Sequence, residues 1–150
     1  MFNANVRDTR GFVDCIDLGA ELRILHEALP DEMRELVELM LPPQPVKIQG
    51  DRFEVAFVLE TLLLFFVRTA PEELPVKVRL WAEGTDAQIT IEGCVPADWQ
   101  LARNDEGMPS ELRLAYPLLR ELLDRNGGVD AQVPLDGGSL RHELRFPFGG

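Results

Sequence analysis

This chain predicts an α+β fold: a two-layer sandwich with helices packed on one face of a mixed, mostly antiparallel sheet. Three observations lead there. An apolar run, 55–66, lies between a Gly50-Asp51 turn signal and Pro71 and reads as one central helix. Two pairs of alternating segments, each around a glycine-containing turn, read as β-hairpins. A further helical stretch separates the hairpins. Helices and hairpins that each bury one face need a second layer to bury it against.

Taken in order, residues 1–10 are polar. Residues 11–16 alternate weakly, as a short strand would. Asp17 is the expected N-cap of a helix over 18–29, with Leu18, Leu22, Leu25 and Leu29 as one apolar stripe ended by Pro30. The segment 31–41 fits two patterns. Met33, Leu36, Val37 and Met40 suit a helix, whereas Val37, Leu39 and Leu41 suit a strand. Pro42, Pro43 and Pro45 make a rigid loop, and 46–49 is a short strand leading into the central helix.

That helix is apolar on most faces, as a helix packed on several sides should be. It is too short for a membrane span and is interrupted by Glu60. Phe57 is expected in the core. After Pro71, Val76, Val78 and Leu80 alternate with Lys77, Arg79 and Trp81, and Ala87, Ile89 and Ile91 alternate with Gln88 and Thr90, giving the first hairpin. The stretch 92–110 reads as a long irregular loop containing Trp99, of the kind that is functional or mobile. Because proline suits the first turn of a helix and not its interior, Pro117 sets the start of the last helix near Tyr116, with 110–114 as a separate helical turn. Leu118, Leu119, Leu122 and Leu123 form its buried face, and Asn126, Gly127 and Gly128 stop it. A second hairpin follows, 129–135 and 140–146, around Asp136, Gly137, Gly138 and Ser139.

At 150 residues the chain suits one domain, 16–150, preceded by an N-terminal extension, 1–15. A net charge of −11 with scattered cations disfavours nucleic acid and anionic membrane as partners. The two cysteines, Cys15 and Cys94, and two histidines, His26 and His142, lack zinc-ligand spacing, so no zinc site is expected. Two lone thiols and the lack of an apolar signal-peptide core point to the cytoplasm. His142 is expected to face solvent from the last strand. No Ser-His-acid or Cys-His signature is assembled in the sequence.

The ordered series resembles the ATP-binding domain of sensor histidine kinases. Its residues are Ile16-Asp17-Leu18 at the first helix, Leu39 to Pro43 and Gly50-Asp51 before the central helix, and Leu118 to Gly128 followed by Gly137-Gly138-Ser139. The resemblance runs from about residue 16 to residue 147. It extends to the wider superfamily shared with DNA gyrase, the chaperone of the same fold and MutL. It implies a strand over 35–41. It also implies where nucleotide chemistry would sit.

The family's central helix carries two asparagines four residues apart, the second a magnesium ligand. Aligned on the pattern Val58-Leu59 and Leu62-Leu63, those positions are Thr61 and Phe65. Phenylalanine offers no ligand atom, and threonine cannot replace the carboxylate base of the gyrase-like branch. Arg68 falls where the family often has a lysine near the phosphates; the plainer reading is a solvent-facing cation. The family's adenine-reading aspartate and paired glycines are missing after the first hairpin, where Glu92 and Gly93 stand; Glu92 reads as a loop carboxylate. The glycine turn that approaches phosphate at the start of the closing helix corresponds to Arg113, Leu114 and Ala115. The last turn survives in part as Gly137-Gly138-Ser139, which a hairpin also explains. His26-Glu27 faintly resembles a phosphoacceptor box but lies inside the first helix, where packing explains a histidine better.

The resemblance, with these departures from its motifs, implies a degenerate, non-catalytic member of the fold that holds no metal and no cofactor: a pseudokinase-type interaction or regulatory module in a bacterial two-component system. It would bind a protein partner, with Thr61, Phe65, Arg68, Glu92, Gly93, Arg113 and Ala115 as vestigial cleft positions or partner contacts. The alternatives are a diverged ATP-binding kinase or ATPase of the same superfamily, and a regulatory domain that forms a homodimer.

Overall fold

The computed structural model describes residues 14–70, 74–94 and 110–148. Seven strands and four α-helices follow one another in it: β1 (Asp14–Asp17), α1 (Leu18–Ala28), α2 (Asp31–Arg34), β2 (Val37–Met40), β3 (Lys47–Gly50), α3 (Arg52–Thr69), β4 (Val76–Glu83), β5 (Asp86–Cys94), α4 (Ser110–Arg125), β6 (Val129–Pro134) and β7 (Ser139–Pro147). A 3-10 turn, Asp136–Gly138, joins the last two strands.

Five strands form the main sheet in the order β2-β4-β5-β7-β6, in which β2 runs parallel to β4 and every other pair is antiparallel. The α+β sandwich expected from the sequence is the fold observed. β1 and β3 form a separate antiparallel ribbon in which Ile16 faces Ile48, and both are buried. The core lies between the helices and one sheet face. Val76, Val78 and Leu80 of β4, Ile89 and Ile91 of β5, and Leu140, Leu144 and Phe146 of β7 line that face.

The caps are where the side-chain chemistry puts them. Asp17 accepts from the Ala20 amide at 3.1 Å, and Asp51 from the Glu54 amide at 3.1 Å. Ala70, held extended before Pro71, closes α3. Gly127, at φ +74°, turns the chain out of α4, and the Gly128 amide bonds the Leu123 carbonyl at 2.8 Å. The ambiguous segment divides: Asp31–Arg34 is a helical turn and Val37–Met40 a strand.

Buried Asn126 ties two helix ends together. Its Oδ1 accepts from the Asp51 amide at 2.7 Å, and its Nδ2 donates to Glu54 Oε1 and to the Leu122 carbonyl. Residue 50 must be glycine here, because a Cβ would stand 2.7 Å from Asn126 Oδ1.

Three expectations need correction. α4 is continuous from Ser110 to Arg125, with Pro117 inside it. Proline forfeits one backbone bond, and burial of Tyr116, Leu119, Leu122 and Leu123 along α4 offsets that loss. Leu118, expected in the buried face, is 46% exposed. β5 extends through Cys94, so 92–94 are strand and not loop, held by pairing of Gly93 with Leu140 and Cys94 with Ser139. The loop centre with Trp99 lies outside the described residues. Among the described residues, no helix is long and apolar enough to cross a membrane.

Candidate functional site

α3 positions three of the candidate residues. Its inner faces meet β5, α1 and α4, and bury Val55, Val58, Leu59, Leu62, Leu63, Phe65, Phe66 and Val67. Phe65 is 7% exposed and stands edge-on to Phe66, with ring centroids 5.6 Å apart. Thr61 is half-buried and Arg68 exposed. Phe57 is 41% exposed, contrary to the core position expected of it. It shares one helical stripe with exposed Phe53 and half-buried Thr61, turned away from the positions that α3 buries.

Glu92 and Gly93 diverge. Successive residues of a strand point to opposite faces. Gly93 faces the helices, where an added Cβ would lie 3.2 Å from Phe66 Cδ1 and 3.5 Å from Val76 Cγ2. Glu92 points to the open face and meets Arg141 Nε at 3.2 Å. A groove of about 430 Å³ crosses that face among Lys77, Arg79, Trp81, Glu92 and Arg141. Arg79 lies over the Trp81 ring at 4.7 Å. Glu92 is therefore a strand residue in an ion pair, separated by the sheet from Thr61 and Phe65. The candidate residues do not converge on one cleft. Arg113 and Ala115 lie within the helical run of α4 and not at a turn before it.

The structure assembles a polar cluster that the sequence reading missed. His142 is 1% exposed and faces inward, because it pairs with Ile91 and shares the strand face of Leu140, Leu144 and Phe146. The expectation that it faces solvent is overturned. Its period-two spacing from those apolar neighbours was the available signal. His142 Nε2 lies 3.0 Å from Asp130 Oδ2. The Tyr116 hydroxyl donates to the same oxygen at 2.5 Å, and Gln132 Nε2 donates to that hydroxyl at 3.2 Å. Burial pushes the Tyr116 hydroxyl well above the usual phenol range, reinforced by its hydrogen bond to Asp130 and the carboxylate charge. Burial would raise the Asp130 carboxyl. The hydrogen bonds from His142 and Tyr116 and the His142 charge outweigh it, and the net shift is downward.

This is a polar network under α4 in which His142 and Tyr116 are buried and Gln132 is half-buried. His142 Nδ1 has no hydrogen-bond partner among the described residues. His26, the candidate phosphoacceptor, points its Nε2 at the Arg34 carbonyl, 3.2 Å away, which is a packing role between α1 and α2. Both cysteines are free thiols. No group of three or more metal-ligating side chains stands together among the described residues.

No family model and no curated protein matches the sequence. Solved structures do. The chain is similar to the histidine kinase AdeS of Acinetobacter baumannii, with a TM-score of 0.69 at 18% identity, covering 92% of this chain and 68% of that one. It is similar to the catalytic domain of the histidine kinase ThkA in a nucleotide-free form, with a TM-score of 0.73 at 12% identity, covering 91% and 96%. The histidine kinase domain of the E. coli osmosensor EnvZ superposes with a TM-score of 0.62 at 14% identity, covering 92% and 89%. Identities this low speak for the fold alone. Five-stranded sheet, helical layer and element order together make this chain a histidine-kinase catalytic-domain fold, as the resemblance in its sequence implied.

Proposed function

We propose that this chain is a non-catalytic, histidine-kinase-like domain that serves bacterial signalling from the cytoplasm as a protein-interaction module. The observation that carries this reading is Phe65. It occupies the position that the resemblance assigns to the magnesium ligand, and its ring is buried against Phe66. A hard cation needs oxygen ligands, and none is supplied from that side chain. The surroundings agree. Thr61 is no carboxylate base. Phe66 fills the space that a side chain at position 93 would enter. Arg113 and Ala115 replace the flexible glycines that would let backbone approach phosphate.

Titration calorimetry with ATP and magnesium tests the reading. No saturable heat is expected. Saturable binding at about micromolar affinity would overturn it in favour of a diverged ATP-binding kinase or ATPase on the same fold.

A further inference from the structure

We propose that Asn126 is a self-modification site gated by the fold. It is protected while the clasp between α3 and α4 is shut. It converts to aspartate or isoaspartate when the clasp opens, and the clasp then no longer closes. An asparagine followed by glycine is the pair in which this chemistry runs fastest, because no side chain shields the backbone nitrogen that attacks. Of the asparagines in the chain, only Asn126 precedes a glycine; Asn3, Asn5 and Asn104 precede alanine, valine and aspartate. The architecture imposes the pair. Gly127 turns the chain out of α4 at φ +74°, a conformation that favours glycine, and Asn126 supplies the acceptor and the donor that join two helix ends.

The reaction consumes only water. The Gly127 backbone nitrogen gives up its proton and attacks Cγ of Asn126. An N–Cγ bond forms, the Cγ–Nδ2 bond breaks, and ammonia leaves, which closes a succinimide ring. Water then opens the ring at either carbonyl. One opening leaves aspartate at position 126. The other leaves isoaspartate, in which the main chain runs through the side-chain carbonyl. Nothing is oxidised or reduced.

The folded chain holds back the first step at both reacting atoms. The Gly127 amide donates to the Asp124 carbonyl at 3.1 Å, so its nitrogen is engaged. Asn126 is 9% exposed, and its side chain is fixed from three directions. Oδ1 accepts from the Asp51 amide at 2.7 Å, and Nδ2 donates to Glu54 Oε1 at 3.0 Å and to the Leu122 carbonyl at 2.7 Å. Swinging Cγ onto the Gly127 nitrogen breaks these bonds. Attack therefore waits for local opening of the clasp.

The product does not fit the clasp. Nδ2 faces two acceptors, Glu54 Oε1 and the Leu122 carbonyl oxygen. In aspartate a carboxylate oxygen stands there instead, with no hydrogen to share, and a second negative charge lies beside Glu54. Arg125 Nη2, 2.8 Å from Glu54 Oε2, is already engaged. Isoaspartate adds a methylene to the main chain immediately before the Gly127 turn. Asn126 Oδ1 packs so closely on residue 50 that a Cβ there would stand 2.7 Å away, which leaves little room for either product. The change is one-way and unties the start of α3 from the end of α4. The inference goes beyond the proposed function and does not depend on it, since nucleotide titration reads one and chemical ageing the other.

The test ages the full chain in mildly alkaline buffer, once in guanidinium chloride and once in sodium chloride of equal strength. Peptide mass spectrometry follows the amide-to-acid conversion, and enzymatic methylation reads isoaspartate. In denaturant Asn126 should convert ahead of Asn3, Asn5 and Asn104. In sodium chloride it should convert at least about tenfold more slowly than in denaturant. Glu54→Ala, which removes one partner of the Asn126 amide, should raise the rate in sodium chloride and leave the rate in denaturant unchanged. Asn126→Asp should unfold at lower denaturant concentration than the parent at neutral pH. Equal rates in the two salts overturn the gating, and an Asn126 that stays intact in denaturant overturns the site. An Asn126→Asp chain as stable as the parent overturns the one-way step.

Discussion

His142 Nε2 lies 3.0 Å from Asp130 Oδ2, joining neighbouring strands beneath α4, with His142 1% exposed. A buried carboxylate held by a histidine and a tyrosine links folding to pH. The Asp130 carboxyl lies below its ordinary range, so protonating it costs the folded state more than the unfolded one. Its contribution is full above the ordinary aspartate value of about 4, and fades as pH falls through the lower native value. Urea midpoints measured from neutral pH downward should show this loss in the parent chain. Asp130→Asn should be less stable at neutral pH and should show a flatter acid limb. An unchanged acid limb in the variant would refute the linkage.

Tyr116 offers the alkaline counterpart, and as the only tyrosine it can be read without ambiguity. Its hydroxyl lies well above the ordinary phenol range because it is buried and donates to Asp130. The folded state therefore favours the neutral phenol. The stability this brings is whole below the ordinary value of about 10, and is lost as pH rises beyond it. The tyrosinate absorbance band should stay absent past that value while the fold persists, and should appear with unfolding. Titration at the ordinary phenol value with circular dichroism unchanged is the contrary result.

Phe65→Asn restores the amide at the position that the resemblance assigns to the metal ligand. It should destabilise the chain by about 3 kcal/mol, because a buried ring is removed and a polar amide takes its place. It should not confer magnesium-dependent ATP binding, since Thr61, Gly93, Arg113 and Ala115 are unchanged. Urea unfolding and calorimetry read the two halves of this expectation separately. Tight ATP binding from this single change would mean that the rest of the cleft is intact.

Pro117→Ala should stabilise the chain by about 2 kcal/mol. Pro117 is exposed and lies inside α4, so alanine removes the ring and returns an intrahelical amide donor. Freeing the unfolded chain at this position offsets part of the gain. Thermal unfolding measures it. A loss of stability would mean that the proline shapes α4 for packing.

Local chemistry written in consecutive residues was legible. Asp17 caps a helix, Gly50 and Asp51 mark the turn into another, Gly127 ends one, Pro71 holds Ala70 extended, and the alternation of Val76, Val78 and Leu80 shows which face of β4 is buried. These features depend on a few neighbours along the chain, so they survive without knowledge of the fold. Pro117 shows the limit of such reasoning. Its local preference for a first turn was overridden by the packing of a whole helix. The candidate site was legible as a set of positions and not as an arrangement. Nothing in one strand says that Glu92 and Gly93 part to opposite faces beneath Phe66 and beside Arg141.

By itself the sequence determined the α+β class, the N-cap of α1, the helix stops, the two hairpins and the apolar framework of α3, because each rests on periodicity or on the chemistry of adjacent residues. Only the tertiary structure decided that His142 meets Asp130 and Tyr116 in a polar network. It also decided that β1 and β3 leave the main sheet and that Phe53 and Phe57 face outward from the most apolar helix. The physical reason is the same each time. Burial and partnership are set by elements distant in sequence, and a helix apolar on most sides does not announce which side its neighbours will leave open.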